Sequence, residues 1–180
     1  MSAHNFSLSK SANGELWRTA SRLVADSHLA VLTTADAVGM PHAAWMNILA
    51  DSTMEEVVSI TAPTTQKISN LQANPQGEWM FASPSMETIV YLSGPTQILE
   101  TDEAKACWDR MPGKSKAYFR NYCDTDEHTK YAVIRTQVTK VVYCRPVGYR
   151  KTVVDEAAKT PPEDEAATGS RLHGSGINQE

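Results

Sequence analysis

The chain has 180 residues, 41% of them hydrophobic and 21% charged, which is the size and composition of one ordinary globular domain. Seventeen Lys+Arg against 21 Asp+Glu give a formal charge of −4, so the bulk cationic footprint of a nucleic-acid binder is missing. Cys107, Cys123 and Cys144 are odd in number and lack a CxxC spacing, which argues against a disulfide framework or paired-thiol zinc site. No apolar run approaches the ~18 residues of a membrane span, and MSAHNFSLSK lacks the order of a signal peptide. A cytoplasmic protein without a nucleic-acid or membrane partner is expected.

Residues 1–11 read as a flexible leader. Leu16, Ala20, Leu23, Val24 and Ser27 then recur at helical spacing, with Arg18, Arg22 and Asp26 elsewhere on the wheel. His28 to Thr34 reads as a buried strand, joined through the turn Ala35-Asp-Ala-Val-Gly39 to a second strand, Met40 to Ala50. Val57 to Thr61 is a third, and Thr64 to Ala73 a short helix ended by Asn74-Pro75. Glu78 to Ala82 and Thr88 to Leu99 follow as strands. A helix capped by Thr101 or Asp102 carries the stripe Ala104, Cys107, Trp108 and Met111, another helix spans Lys114 to Tyr122, and Tyr131 to Cys144 is a β-rich run.

About six strands with segregated helices predict a mainly antiparallel barrel or sandwich, within the domain 12–154. Neither GxGxxG nor GxxxxGK[ST] occurs, which disfavours a dinucleotide fold or a P-loop. Residues 155–180 read as an acidic, disordered or loosely attached tail, with almost no large apolar side chain to offset its ordering entropy. Its six acids and two bases account for the whole net charge, so residues 1–154 are near neutral and compatible with an anionic ligand.

Three stretches carry candidate chemistry. In Thr61-Ala-Pro-Thr-Thr-Gln-Lys67 a strand end delivers hydroxyls and a lysine to a helix N-terminus, the makings of a phosphate seat; the same residues also fit a Thr64 or Thr65 N-cap beside a solvated lysine. In His42-Ala-Ala-Trp-Met-Asn47 alternation sets His42, Ala44 and Met46 on one face and Ala43, Trp45 and Asn47 on the other. One face fits a wall for a flat ring, and a core Trp45 beside a satisfied His42 fits equally. The cations Lys114, Lys116, Arg120, Arg145, Arg150 and Lys151 fit a solvated face or a second anion site. The five histidines show no ligand spacing, so no metal is expected, and no nucleophile elbow or calcium loop occurs.

Taken in order, Ala30-Val-Leu-Thr-Thr34, Gly39-Met-Pro-His42, a strand ending in Thr61, Thr65-Gln-Lys67-Ile and Leu71-Gln-Ala-Asn74-Pro75 resemble the FMN-binding split-barrel family of pyridoxamine 5′-phosphate oxidase-like proteins, nearest the general stress protein 26 group. Thr88-Ile-Val-Tyr-Leu-Ser-Gly94, Trp108 and Ala117-Tyr-Phe119 extend the likeness across residues 15 to 150. The resemblance implies an antiparallel split β-barrel, mainly β with helices, forming a homodimer with FMN at the interface. It implies that Thr61, Thr65, Gln66 and Lys67 hold the FMN phosphate while Trp45, Met46 and Asn47 lie along the isoalloxazine ring, leaving the catalytic residues unassigned. Residues near Thr88 to Tyr91 approach the ring from a neighbouring strand in the same likeness.

Several positions depart from the family pattern. An arginine common in the family is replaced by Ala44 or its neighbour, and the lysine and arginine of pyridoxamine-phosphate oxidases proper fall near Leu49 and at Gln66. Cys144 stands where related stress proteins often have tryptophan. The expected function is therefore an FMN-dependent oxidoreductase moving hydride or electrons between a reduced nicotinamide donor and a small-molecule substrate, and not a true pyridoxine-phosphate oxidase. The alternative is a non-catalytic stress protein binding a flavin, haem or pyridoxal phosphate on the same fold, with His42 the only motif-adjacent haem ligand.

Overall fold

β-Branched and aromatic residues fill the strands, and their alternation decides which side chains meet the core. The computed structural model describes residues 10–49, 52–99, 101–111, 113–122, 131–148 and 150–154. Among these the order is α1 (Lys10–Asp26), β1 (Leu29–Ala35), β2 (Pro41–Asn47), β3 (Glu56–Thr61), α2 (Gln66–Ala73), β4 (Gln76–Ala82) and β5 (Ile89–Ile98), then α3 (Thr101–Arg110), α4 (Gly113–Tyr122), β6 (Ala132–Gln137), β7 (Lys140–Arg145) and β8 (Arg150–Val153). Helix α1 begins two residues inside the expected leader, and residues 1–9 and the expected tail 155–180 lie outside the described residues.

All strand pairs are antiparallel, in the order β2-β1-β4-β5-β6-β3, and an isolated bridge between Ile48 and Ser59 brings β2 back to β3. Of the barrel and sandwich that the strand pattern allows, the result is the barrel, split as the family resemblance implies. Eight strands are present where about six are expected. The run Tyr131 to Cys144 divides into β6 and β7, which pair with different halves of β5, and β8 adds a short hairpin to β7.

Strand β5 makes that division possible. Ile89–Pro95 pairs with β4 and Ile89–Ser93 with β7, whereas Thr96–Ile98 pairs with β6. The strand changes partners at Gly94-Pro95, where a Cβ on Gly94 would collide with the Gln137 carbonyl oxygen. Just beyond the crossing, Thr96 Oγ1 lies 2.7 Å from Thr136 Oγ1, and the Trp79 indole N–H donates to Thr136 Oγ1 at 2.8 Å. Trp79, Thr96 and Thr136 are all buried, so this small polar network is satisfied from within.

Two cores flank the β3–β6 wall. Inside the barrel, Leu32, Val57, Trp79, Phe81, Leu92 and Ile134 pack with Ala20 and Val24 of α1 and with Ile68 and Leu71 of α2. On the other face, Val58, Ile60 and Val133 pack with Ala104, Cys107 and Met111 from the α3 segment and Phe119 of α4. The Trp108 stripe therefore belongs to a core: its ring stacks on Tyr131 with centroids 4.6 Å apart and meets Phe119 edge-on at 5.7 Å. Tyr118, read with it in the sequence, has a side chain outside the described residues.

Because the Gly94 collision is with backbone, Gly94→Ala forces the β5–β6 crossing apart. We expect a loss of about 3 kcal/mol in urea unfolding, against a small effect for Ala at the open position Gly113.

Candidate functional site at the barrel seam

Strand β2 pairs with β1 along its whole length but touches β3 only at its end. There the Ser59 hydroxyl donates to the Asn47 carbonyl at 2.6 Å and the Leu49 N–H donates to the Val58 carbonyl at 3.0 Å. The Ile48 N–H donates to the His28 carbonyl at 3.0 Å, so alternation turns the Met46 backbone toward β1 and leaves that of Trp45 and Asn47 on the open side. Continuing the bridge register sets Met46 level with Thr61. The open seam thus has β2 as one wall and the β3–α2 connection as the other.

The side chains sort accordingly. Trp45 is 71% exposed on the outer face, which corrects the reading of it as core, and Asn47 is exposed beside it. Met46, only 4% exposed, packs inside the barrel, so neither its side chain nor its backbone faces the seam. It shares that face with His42 and Ala44, as period-two alternation requires.

On the opposite wall three polar groups converge. The Lys67 ammonium donates to Thr61 Oγ1 at 3.2 Å, and Thr65 Oγ1 lies 3.4 Å from the same oxygen. Thr65 is the N-cap residue of α2, with φ −81° and ψ 152°, but its side chain makes no cap bond; it donates instead to the Ala62 carbonyl at 3.0 Å. The Gln66 and Lys67 amides of the first turn are left without that hydroxyl, while the Ile68 N–H closes on the Thr65 carbonyl at 3.0 Å. Two hydroxyls, an ammonium and the positive end of a helix at one corner can hold an anionic oxygen group. Thr64 is exposed and takes no part.

Gln66 points its carboxamide elsewhere, donating to Asn70 Oδ1 at 2.8 Å. Asn70, 1% exposed, donates in turn to Thr34 Oγ1 of β1 at 2.9 Å. This bridge fixes α2 against the barrel and so fixes the seat. Asn70 and Ser59 were not singled out in the sequence; the i,i+4 spacing of Gln66 and Asn70 is the only local sign, since Thr34 and Asn47 are brought in by tertiary pairing.

The other wall is steadied at its hairpin. Asp36 Oδ1 accepts the Val38 and Met40 amides at 3.0 and 2.9 Å, Gly39 takes φ +88°, and Asp36 Oδ2 lies 3.4 Å from His42 Nε2. The Met40 amide above all, with His42 and the Val38 amide, holds the Asp36 carboxyl below the usual carboxylate range, outweighing the desolvation that opposes them.

The remaining cations are separated from the seam's anion corner. Lys116 and Arg120 sit over the Trp108 ring at 5.7 and 5.8 Å, on the second core. Lys114 is exposed on the same helix α4. On the β7–β8 hairpin, Arg145 covers Tyr143 at 5.9 Å, Lys151 covers Tyr91 at 5.5 Å, and Arg150 is exposed. Among the described residues no three His, Cys, Asp or Glu side chains gather as a metal site.

An antiparallel barrel split along one seam, with an anion corner beside the opening, defines a class of small split-barrel proteins. Within that class the chain belongs to the pyridoxamine 5′-phosphate oxidase family, which it matches over residues 16–145. Among solved structures it is similar to a general stress protein 26-related protein of the pyridoxinephosphate oxidase family from Clostridium acetobutylicum, with 17% identity, 80% of this chain and 98% of that chain covered, and TM-score 0.65. It is also similar to a pyridoxamine 5′-phosphate oxidase-related, FMN-binding protein from Nostoc punctiforme, with 12% identity, 78% and 84% covered, and TM-score 0.55. A third is the haem storage protein HutZ from Vibrio cholerae, with 15% identity, 67% and 88% covered, and TM-score 0.53. At such identities the likeness establishes the fold alone. No curated protein matches the chain in sequence.

Asp36→Asn keeps the acceptor for both amides and removes only the charge. A carboxyl with a lowered folded pKa contributes stability above its unfolded pKa and loses it as pH falls through the folded value. We therefore expect wild type to be the more stable near neutrality, with the gap closing in the acid range below the usual carboxylate pKa, as followed by urea midpoints across pH.

Proposed function

We propose that the chain is an FMN-binding flavoprotein, an oxidoreductase working between a reduced nicotinamide donor and a small-molecule substrate. The observation that carries the reading is the convergence of Thr61, Thr65 and Lys67 at the N-terminus of α2, level with the open backbone edge of β2. A phosphate monoester fits that corner, and a flat heterocycle fits the edge beyond it, where Trp45 supplies an exposed ring and the Trp45 and Asn47 backbones supply donors and acceptors. Gln66 joins through its first-turn amide, its side chain being committed to Asn70. Met46 acts only by packing beneath the strand. FMN, when bound, supplies hydride and electron transfer; the chain's residues bind it, orient it and shield one face.

The reading includes a homodimer with the cofactor at its interface. Cross-strand register lines up Trp45, Val31, Met80, Tyr91, Val142 and Val153 across the outer face of six strands. That row spans roughly 24 Å at the usual strand spacing, with exposed Trp45 at one end and exposed Val153 at the other. A second copy of the same face offers a matching surface. The buried free thiols of Cys107 and Cys144 suit a reducing, cytoplasmic setting, and no helix among the described residues is long and apolar enough to cross a membrane.

A haem-binding reading has less support in this chain, because its candidate axial ligand, His42, shares the inner face of β2 with Ala44 and the buried Met46 and not the exposed face of Trp45. Oxidation of pyridoxine phosphate is also disfavoured, since Gln66 stands where those oxidases carry arginine.

Lys67→Ala should weaken FMN binding about ten- to hundred-fold, the worth of one charge-assisted hydrogen bond, with the far-ultraviolet circular dichroism unchanged. A purified chain that is colourless and takes up no added FMN sinks the proposal. Once FMN is bound, consumption of reduced nicotinamide with candidate acceptors separates an enzyme from a carrier. Trp45→Glu puts a charge in the outer row and should convert the dimer to monomer in sedimentation velocity; an unchanged sedimentation coefficient removes that face from the interface.

A further inference from the structure

A cleft of about 590 Å³ opens between the C-terminal turn of α1 and the β4–β5 turn. Arg22, Asp26 and His28 rise on one side, Ser83 and Thr88 face them, and Leu23, Leu29 and Pro84 supply apolar wall. Leu29 is paired with Asn47, so the cleft begins one strand away from the open seam and on the same side as Trp45.

One of its charges sits where the helix does not favour it. Asp26 is the last residue of α1, where the negative end of the helix dipole opposes a carboxylate. Arg22 stands one turn earlier, and no hydrogen bond or ion pair among the described residues engages either charged group. The surrounding hydroxyls are held in place. The Ser27 hydroxyl donates to the Leu23 carbonyl at 2.6 Å, the Thr88 N–H donates to Ser83 Oγ at 3.1 Å, and Thr88 Oγ1 lies 3.3 Å from the Tyr143 hydroxyl. A fixed rim therefore surrounds one cationic and one anionic group about 6 Å apart along the helix.

We propose that this cleft seats a small carboxylic acid that also carries an amino or hydroxyl donor: the guanidinium of Arg22 takes the carboxylate, Asp26 takes the donor, and the leucines and Pro84 take a flat apolar body. A dianionic phosphate is disfavoured by Asp26. The assignment of this ligand as the substrate rests on the flavoprotein reading; the binding itself does not.

The test uses the full chain with 4-aminobenzoate as probe and benzoate as the arm lacking the donor, followed by calorimetry. Arg22→Gln should weaken both at least ten-fold, whereas Asp26→Asn should weaken 4-aminobenzoate several-fold and leave benzoate unchanged or tighter. Both positions are exposed, so the fold is expected to survive, and FMN affinity should stay within two-fold of wild type. Absence of 4-aminobenzoate binding at millimolar concentration, or binding indifferent to Arg22→Gln, overturns the site. These titrations are run first without FMN, so a chain that takes up no FMN refutes the flavoprotein reading while the cleft is still judged. With FMN bound, a shift in the flavin absorption on adding 4-aminobenzoate supports the substrate assignment, and binding with no shift overturns it.

Discussion

The crossing of β5 over β6 is the constraint from which the rest of the architecture follows. A single strand serves two sets of partners because Gly94 lets the chain approach the Gln137 carbonyl more closely than any side chain allows, and because Pro95 has no N–H to leave unpaired there. Thr96 emerges from the crossing into contact with Thr136, to which the Trp79 indole is also bonded. Gly77 is matched to this arrangement, for a Cβ there would come within 2.6 Å of Thr96 Oγ1. The largest side chain of the core is thus tied to the point where the sheet turns.

With β5 committed to β4, β7 and β6, ring closure falls to β2 and β3, and they meet only at one bridge. The seam stays open because Pro41 to Asn47 has β1 as its sole full-length partner among the described residues. An exposed strand edge is a hazard unless it is covered, and here it lies beside hydroxyls and a lysine that suit a phosphate. The unpaired edge and the missing N-cap bond at Thr65 both leave polar backbone directed at the same opening.

Local patterns were legible in the sequence wherever one face of an element is buried. The α2 stripe, the Asp36–Gly39 turn and the helix Thr101–Arg110 appear where their spacing puts them, because periodicity and turn chemistry act within a few residues. Of the two strands beyond the expected six, one is β8, and the other arises because Tyr131 to Cys144 is continuously β-favouring while its division at Val138-Thr139 is imposed by Glu55 and Ser93, both distant in the chain. Trp45 was ambiguous for a related reason. Alternation sets it opposite Met46, but which face is inside depends on register with β1. The seat itself was legible as Thr61 to Lys67, whereas the Asn70–Thr34 bridge that holds it spans 36 residues and leaves no short-range trace.

The seat's modest charge is consistent with the rest of the molecule. On the proposed reading the phosphate would meet one ammonium, shared with Thr61, and the end of an eight-residue helix, with no arginine at Ala44 or Gln66 to add charge. The positions that would add charge are occupied by Ala44, half-buried beneath the outer face, and by Gln66, whose amide holds Asn70 in place. On the proposed reading, an arginine in place of Gln66 would gain a phosphate contact but break the link to Asn70. Because that link orders α2 against β1, the gain in charge would be offset by a looser seat. On that reading, affinity at this corner would depend on how rigidly Thr61, Thr65 and the first-turn amides are held, more than on how many cations surround them.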